Sequence, residues 1–555
     1  MSICSIIRLK QTKTEHPLCN YESSVPFCGR YASIFLNGCQ RTQNTLALAG
    51  GVMYNTTNTM QRTLSLLALS ILPAAAQSIA DEQAFADAVK QFLPGPATAM
   101  PAPKKTELTF TPDAARAADT SPAAHPEAYA RFIGHLDQQL KDNTYDFCQA
   151  MREILAATND EFAVMSWMEK AAAEGNPVAC QFVGDYRLTR VARDKVQSPE
   201  IKEAYALVRK AADAGYDAAK INVCMCMKMG IGTEKNEEGA DKYMFDACRS
   251  GNMIPRYKWL QMNGRLRNWE DRERPEVAAE INRNNHHVIY YLSGVAPDAK
   301  EQVGMLRKAA ELGNPEALYS LSALSSKTAP KESFTLLKEA VRLHSANALF
   351  ALGSAMTDGD PENPVLKEAG VEHNDIAGRT FIKLASMMGN VTASFWLGSV
   401  NYHGQCGMSV DKERAFRHFD NGALAGNPTC GTAAGIMLLR GLGIPQDTRK
   451  GLYYLNISAN SGVPHAVILL AYAQHEGLGV PADTKAACKL LQEAAAMGQK
   501  RAYVYLAYLT AKGGNNQEAD PRTAERYVRM ASLDMKEEAK TLYDKLMTEG
   551  WNPEP

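Results

Sequence analysis

One short stretch of the sequence has the spacing of a catalytic serine and lysine, Ser409-Val410-Asp411-Lys412. Some enzymes that form an acyl-serine intermediate carry such a Ser-x-x-Lys motif. Their companion motifs, Ser-Asp-Asn and Lys-Thr-Gly, do not occur in the 555 residues. Asp411 also suits the cap position of a following helix. We therefore interpret the stretch as a loop between helices and predict no catalytic residue.

Pairs of glycines separated by one residue could cradle a phosphate, as in "GLGIPQDT" at 441–448 and "GLGVPADT" at 477–484. These pairs follow helical patterns instead of strands, lack a third glycine and recur along the chain. No Gly-Lys dipeptide occurs anywhere in the sequence, which excludes a standard phosphate-binding loop. We interpret the pairs as helix ends and predict no cofactor.

Three other polar groups lack the spacing of a metal site. The adjacent histidines 286–287 would point about 100° apart on a helix. The acidic stretch 358–362 lacks the glycine and glutamate of a calcium loop. The Cys-Met-Cys stretch 224–226 has one residue between its cysteines and no second ligand pair nearby. The sequence therefore predicts no metal.

Eight cysteines lie after residue 76, and they allow two interpretations. If the protein is exported, an even number of cysteines is compatible with disulfides. Cysteine also serves as a small apolar core residue. We favour buried thiols and keep a disulfide framework as the alternative. The cysteines are Cys148, Cys180, Cys224, Cys226, Cys248, Cys406, Cys430 and Cys488.

The charge balance argues against nucleic acid as the main partner. Lys plus Arg number 60 and Asp plus Glu number 61, so there is no global field to attract phosphate backbones. No apolar run reaches the roughly 18–20 residues that a membrane-spanning helix needs. We predict no nucleic-acid partner and no membrane span; the sequence leaves the oligomeric state open.

The first 126 residues divide into three segments by composition. Residues 60–76 have a short positive start, an apolar stretch and a small-residue site, which predicts a signal peptide cleaved near Ala76. Residues 1–59 are then a doubtful extension, with translation starting at Met60; a genuine tail is the alternative. Residues 77–126 include Ala/Pro-rich stretches and are predicted to form a semi-rigid linker.

Beyond the linker, a junction of small residues and a glycine recurs along the chain. The last intervals between junctions are each 36 residues, and a fixed period of this length indicates a stacked solenoid. We expect Ser345 and Asp534 to replace the glycine in weaker copies. The junction glycines are Gly175, Gly215, Gly251, Gly313, Gly389, Gly426, Gly462 and Gly498.

Each unit is predicted to contain two short helices. Apolar or small residues four and eight positions after the junction form one helix face, and a small residue at position nine allows close packing. A second glycine at position fifteen ends this first helix, and an aspartate such as Asp447 or Asp483 caps the second. The sequence therefore predicts an all-α fold, an α/α solenoid over residues 127–555.

This pattern of a small residue, Leu-Gly/Ala, a Gly-x-Gly loop with an Asp and an Ala-rich second helix resembles the Sel-one-like repeat family, which is related to tetratricopeptide repeats. The resemblance covers roughly residues 140–548, and its register is uncertain between 251 and 380. It implies a superhelix of helix-turn-helix repeats. Cysteine-rich relatives carry one cysteine before and one after each junction, but here Pro255 stands opposite Cys248 and Ala423 opposite Cys430.

Positions three, six, ten and thirteen of the first helices form the face opposite the packed one, and we expect this stripe to be exposed and to bind a partner. Aromatic residues and arginine are enriched in interface hot spots. The predicted binding residues are Phe395, Tyr402, Ile436, His465, Tyr472, His475, Arg501 and Tyr508; Ser399 and Thr432 lie on the same stripe.

Taken with the resemblance, these features predict a non-enzymatic adaptor or scaffold that binds a protein or peptide and is periplasmic or secreted. The alternative is a protein that binds a cell-wall ligand or a weak β-lactamase-like hydrolase, because some cysteine-rich relatives have been discussed in those terms. Eukaryotic relatives act in the lumen of the endoplasmic reticulum, which is a third possibility for the location.

Overall fold

The computed structural model describes residues 119–190, 196–357, 371 and 373–553. The expected signal peptide, its cleavage site, most of the Ala/Pro-rich segment and the acidic stretch 358–362 lie outside these residues. The last residues of the expected linker are packed against the first repeat, where the Trp167 indole donates a hydrogen bond to the Thr120 carbonyl at 3.0 Å.

The described residues form 24 α-helices and no strand, which confirms the all-α solenoid. The N-terminal half contains α1 Pro126–Asp142, α2 Cys148–Thr158, α3 Val164–Ala173, α4 Pro177–Leu188, α5 Pro199–Asp213, α6 Asp217–Met229, α7 Glu237–Arg249, α8 Met253–Met262, α9 Pro275–Asn282, α10 His286–Gly294, α11 Ala299–Glu311, α12 Pro315–Ser325, α13 Pro330–Arg342 and α14 Ala346–Thr357. The C-terminal half contains α15 Asp375–Met387, α16 Val391–His403, α17 Lys412–Leu424, α18 Pro428–Arg440, α19 Thr448–Asn460, α20 Pro464–Glu476, α21 Thr484–Ala496, α22 Arg501–Lys512, α23 Pro521–Met535 and α24 Glu537–Glu549.

From α2 onward, even-numbered helices are the first helix of a unit and odd-numbered helices the second. The first helix ends where the glycine pattern predicts: Gly441 closes α18 with φ 65° and Gly477 closes α20 with φ 71°. Only glycine adopts this left-handed conformation at little cost. Asp447 and Asp483 cap the next helices by accepting backbone N–H bonds at 2.9 and 2.7 Å. These predictions are confirmed.

The small residue at position nine has the packing role that the sequence predicts. A Cβ atom on Gly184 would lie 2.8 Å from the carbonyl oxygen of Ala204 and 2.5 Å from a methyl group of Val208. Both neighbours belong to α5, the second helix of the same unit. Only a hydrogen at this position lets the two helices approach so closely.

Asparagine at the first position after the junction has a capping role that the sequence reading missed. The Asn390 carboxamide accepts the Ala393 N–H at 2.7 Å and donates to Asn347 of the preceding unit at 2.8 Å. One side chain thus caps a helix and links two units. Asn176, Asn314 and Asn427 make the same cap. The recurring "GNP" of the sequence was the signal for it.

Two assigned junctions are wrong, and the uncertain stretch contains an additional one. The residue with positive φ is His344, while Ser345 follows it and caps α14 at the Ala348 N–H. Asp534 lies inside α23, and Lys536 has the positive φ instead. Between Gly251 and Gly313 an extra junction occurs at Asn284, with φ 58°. Because these turns contain residues other than glycine, the positions of the glycines do not reveal the repeat register here.

The array contacts its own beginning through a buried ionic cluster, which we call the clasp: Asp160, Glu161, Lys383, Arg414 and His418. Arg414 donates to Asp160 at 3.0 Å and to Glu161 at 2.5 Å. Lys383 lies 3.5 Å from the Glu161 carboxylate, and His418 is hydrogen-bonded to it at 2.9 Å. Arg414 and Glu161 are 253 positions apart in the sequence, so the clasp joins units that are not neighbours, in addition to the contacts between neighbouring units.

Candidate aromatic groove on the first helices

The side chains predicted to form an exposed stripe are less exposed than the sequence suggests. Tyr402, Ile436, Tyr472 and Tyr508 are buried, with 5, 0, 8 and 9% of their surface exposed. Thr432 on the same stripe is also buried. The expected exposure is wrong for these residues. Half-buried positions are occupied by Phe395, Ser399, His465, His475 and Arg501. A role of the stripe in binding a partner stays a prediction.

Neighbouring helices account for much of this burial. Helix α18 contacts the first helices α16 and α20 as well as the second helices α17 and α19, so Ile436 is enclosed. The Phe395 ring lies 5.8 Å from the ring of Phe419 on α17. The ammonium of Lys412 lies 5.0 Å from the Tyr402 ring centre. Helical periodicity in the sequence predicts one packed face for each helix, whereas these helices are packed on several sides.

At the C-terminal end of the described array, a segment that follows the last helix also buries residues of the predicted stripe. Gly550 ends α24 with φ 80° and turns the chain back across the first helices. The Trp551 ring, 7% exposed, lies 4.7 Å from the ring of Tyr505 on α22, in a stacked arrangement. It lies 5.4 Å from Tyr472 on α20, edge to face. Residues 550–553 therefore cross the same face that the sequence predicts to bind a partner.

The end of this segment, at Pro553, is held by a hydrogen bond from a side chain to its backbone. The Arg440 guanidinium, at the end of α18, donates a hydrogen bond to the Pro553 carbonyl oxygen. Residues 550–553 thus contact the first helices of three successive units. We call this surface the aromatic groove and define it by Arg440, Tyr472, Tyr505 and Tyr508; the phenol of Tyr508 lies beside Gly550.

Of the four side chains that define the groove, Arg440 is the only one that can carry a charge at neutral pH. Burial, and then the charge of Glu476, raises the pKa of Tyr472. Burial also raises the pKa of Tyr505, against the opposing charge of Arg501. Both phenols are therefore protonated at neutral pH. Burial lowers the pKa of His475, whose Nδ1 lies 3.0 Å from the Thr484 hydroxyl. Such a surface suits an aromatic side chain followed by a backbone carbonyl.

A family model for the Sel1 repeat matches eight segments of the chain, and these fall on the helix pairs described above. The matched residues are 165–176, 196–216, 217–252, 289–314, 391–427, 432–463, 464–499 and 500–533. The chain is a Sel1 repeat protein. The unmatched residues 253–288 coincide with the region of the extra junction at Asn284.

Three solved structures illustrate what this Sel1 repeat protein is similar to. A protective antigen of uropathogenic Escherichia coli that displays an SLR fold is 19% identical, with a TM-score of 0.40, over 75% of this chain and 90% of the antigen. A Sel1 repeat protein of Oxalobacter formigenes is 21% identical, with a TM-score of 0.32, over 62% and 90%. Yeast Tom70 is 13% identical, with a TM-score of 0.25, over 77% and 89%. A comparison with curated proteins gives no match.

The residues with possible chemistry occupy ordinary structural positions in this Sel1 repeat protein. Ser409 is exposed in the loop before α17, and Asp411 caps that helix at the Arg414 N–H, at 2.9 Å. The described part of the chain brings no group of three His, Cys, Asp or Glu side chains together as a metal site. None of its helices is long and apolar enough to cross a membrane.

The cysteines fit the preferred interpretation of small core residues. No disulfide joins the eight cysteines of the described residues, and five of these cysteines are buried. Burial raises the pKa of Cys224 and of Cys488 to about 11, which keeps these thiols protonated at neutral pH. A buried protonated thiol is a poor nucleophile.

Sequence reasoning missed three residues of the groove region: Arg440, Tyr505 and Trp551. Arg440 and Tyr505 lie at positions fourteen and seven of their units, outside the chosen stripe. Trp551 stands in the polar stretch "EGWNP", after the last helical pattern. An isolated tryptophan in such a context was a signal, because a tryptophan buries a large apolar area when it finds a partner surface.

Proposed function

We propose that this Sel1 repeat protein is an exported scaffold that binds an extended polypeptide segment along its first helices. The supporting observation is the position of residues 550–553 in the aromatic groove. A segment without helix or strand structure lies there, held by aromatic contacts and one hydrogen bond from the Arg440 side chain to the Pro553 carbonyl oxygen. We propose that a partner segment of the same chemistry, an aromatic side chain followed by a backbone carbonyl, binds in the same way.

Repeat architecture supports this proposal. Stacked helix pairs present a continuous surface, and extended segments bind such surfaces through side-chain anchors and backbone hydrogen bonds. Sel1 and tetratricopeptide-like repeats are compatible with a protein-interaction scaffold. The segment 550–553 then acts as an intramolecular ligand that a partner must displace.

A peptide added in trans tests the groove. We expect a labelled peptide of sequence EGWNP to bind a Trp551→Ala variant and to bind the parent protein at least about tenfold more weakly, because a tethered segment competes at high effective concentration. Fluorescence anisotropy measures both affinities. The control peptide EGANP lacks the anchor and should not bind. Equal binding of the two peptides, or no binding of EGWNP, contradicts the proposed groove.

Export is a separate part of the proposal and rests on residues 60–76. We expect mature protein isolated from the cell envelope or medium to begin near Gln77, since signal peptidase cleaves after small residues. Mass spectrometry of the intact protein measures this. Recovery of a chain that still begins at Met60, or that stays in the cytoplasm, contradicts export.

A further inference from the structure

A second cleft lies on the first helices near the other end of the array, far in sequence from the aromatic groove. Its walls come from α4, α6 and α8 and from residues 143–145, which follow α1. The cavity volume is about 60 Å³, enough for about four water molecules. Thr144 at the cleft is exposed, whereas Gln181 and Asn222 are buried, so the cleft runs from solvent to a polar floor.

The floor contains a buried carboxamide with no hydrogen-bond partner. Gln181 is 1% exposed, and neither its Oε1 nor its Nε2 atom is hydrogen-bonded within the part of the chain that the structure describes. Its neighbour Asn222, in contrast, donates to Asp185 at 2.9 Å. A buried polar group without a partner costs about 1–3 kcal/mol, so Gln181 favours a ligand that supplies both a donor and an acceptor.

The buried carboxylate beside Gln181, that of Asp217, already has a counter-ion. Asp217 is buried, but Lys220 lies 3.3 Å from its carboxylate and the Ser250 hydroxyl donates to it. Burial, and then the charges of His286 and Lys258, lowers the pKa of His287 to about 3, so that its imidazole is neutral. The floor of the cleft therefore favours an uncharged polar ligand over an anion or a cation.

We propose that this cleft binds the backbone of one residue in an extended polypeptide segment. Gln181 donates from Nε2 to the carbonyl oxygen of that residue and accepts its N–H at Oε1. The N–H and C=O of one extended residue point to the same side of the segment, and a carboxamide offers one donor group and one acceptor side by side, which is their complement. An anion would use the donor alone and leave Oε1 without a partner. Tyr257 and the half-buried Tyr145 provide apolar walls for the flanking side chains.

This inference rests on the proposed function for its ligand class, a polypeptide, and adds a second contact point on the same row of first helices. The aromatic groove and the cleft can each be disproved without the other. The aromatic groove is tested with EGWNP and the Trp551→Ala variant, whereas the cleft is tested in the full chain with Trp551 intact. In that chain the groove is covered by residues 550–553.

Gln139 supplies a matched control for Gln181. It is also buried, on α1, and neither atom of its carboxamide has a hydrogen-bond partner among the described residues. It does not line the cleft. The variants Gln181→Leu and Gln139→Leu therefore remove the same unpaired group at two places, of which only one faces the cleft.

The probe is a phage-displayed library of random heptapeptides, selected on the full chain and resynthesised as free peptides. We expect Gln181→Leu to weaken binding of the selected peptides at least about tenfold, the size of one to two hydrogen bonds. Gln139→Leu should change it less than twofold. Replacing one peptide N–H by an ester oxygen should weaken binding to the parent about tenfold and leave binding to Gln181→Leu unchanged.

Each other result overturns the inference. Selected peptides that bind both leucine variants equally do not use Gln181. An ester effect that persists in Gln181→Leu shows that a different group accepts the N–H. Selection of no peptide, or only of peptides that EGWNP displaces, removes the cleft as a polypeptide site. If Gln181→Leu does not fold, Gln181→Met, which keeps an unbranched chain of similar length, repeats the same cycle.

Discussion

Replacing Glu161 with alanine is expected to lower the free energy of unfolding by about 3–5 kcal/mol, the range found when one partner of a buried ion pair is removed. Glu161 accepts hydrogen bonds from Arg414 and His418 and lies beside Lys383. Without it, positive charge is left buried in the clasp. Urea denaturation followed by circular dichroism measures the effect.

Glu169 provides the control, because its ion pair with Arg187 at 3.2 Å is largely exposed. Glu169→Ala should cost no more than about 1 kcal/mol. If the two alanine variants lose the same stability, the clasp does not hold the array together. Loss of Glu161 should also loosen α15 and α17 in hydrogen exchange, because these helices supply the opposing residues.

The same carboxylate gives the clasp a dependence on pH. Burial raises the pKa of Glu161, but the hydrogen bond with His418 and the charges of Lys383 and Arg414 lower it to well below its usual value. A depressed folded pKa means stability that is present above the unfolded pKa of about 4.3 and lost as pH falls towards the folded value. The parent's advantage over Glu161→Gln should therefore shrink as pH falls from about 5 to 3.

Trp551→Ala is expected to cost about 3–5 kcal/mol in the local stability of the last units, as for other buried tryptophan residues. The ring packs between Tyr472 and Tyr505, so its loss exposes both tyrosines. In a repeat array such a loss of stability affects mainly the neighbouring units. Hydrogen exchange of α20 and α22 should accelerate, while α4 to α8 should be unchanged.

Leu533→Ala is the matched control for Trp551→Ala, because Leu533 on α23 is 83% exposed. Its effect should stay within about 0.5 kcal/mol. Equal exchange rates in the two variants would show that Trp551 does not anchor the segment. Acceleration throughout the array would show that the effect is not local.

Local features of this fold were predictable from the sequence. Glycine at a helix end and aspartate at a helix start have a physical role that depends on adjacent residues alone, so Gly441, Asp447 and Asp483 were assigned correctly. The close approach at Gly184 follows from the same kind of argument. The junctions at Asn284 and His344 were not found, because a left-handed turn without glycine leaves no mark in composition.

Contacts between distant residues could not be predicted in this way. The clasp joins Glu161 to Arg414, which lie 253 positions apart in units that are not neighbours. The burial of Tyr472 depends on Trp551, which lies outside the repeats. The unpaired carboxamide of Gln181 has no signature in the sequence, because a glutamine in an amphipathic helix is ordinarily solvated. These features require the three-dimensional structure.

Displacement of the intramolecular segment by a peptide is the most direct test of the aromatic groove. The chain contains five tryptophans, so 5-fluorotryptophan labelling gives five ¹⁹F signals, and a Trp551→Phe variant assigns the one from Trp551. We predict that this signal differs from its position in the unfolded chain. Adding EGWNP above about millimolar concentration, the effective concentration of a tethered segment, should move it saturably to the unfolded position, whereas EGANP should not. A Trp551 signal at the unfolded position from the start, or one that EGWNP leaves unchanged, would contradict the account.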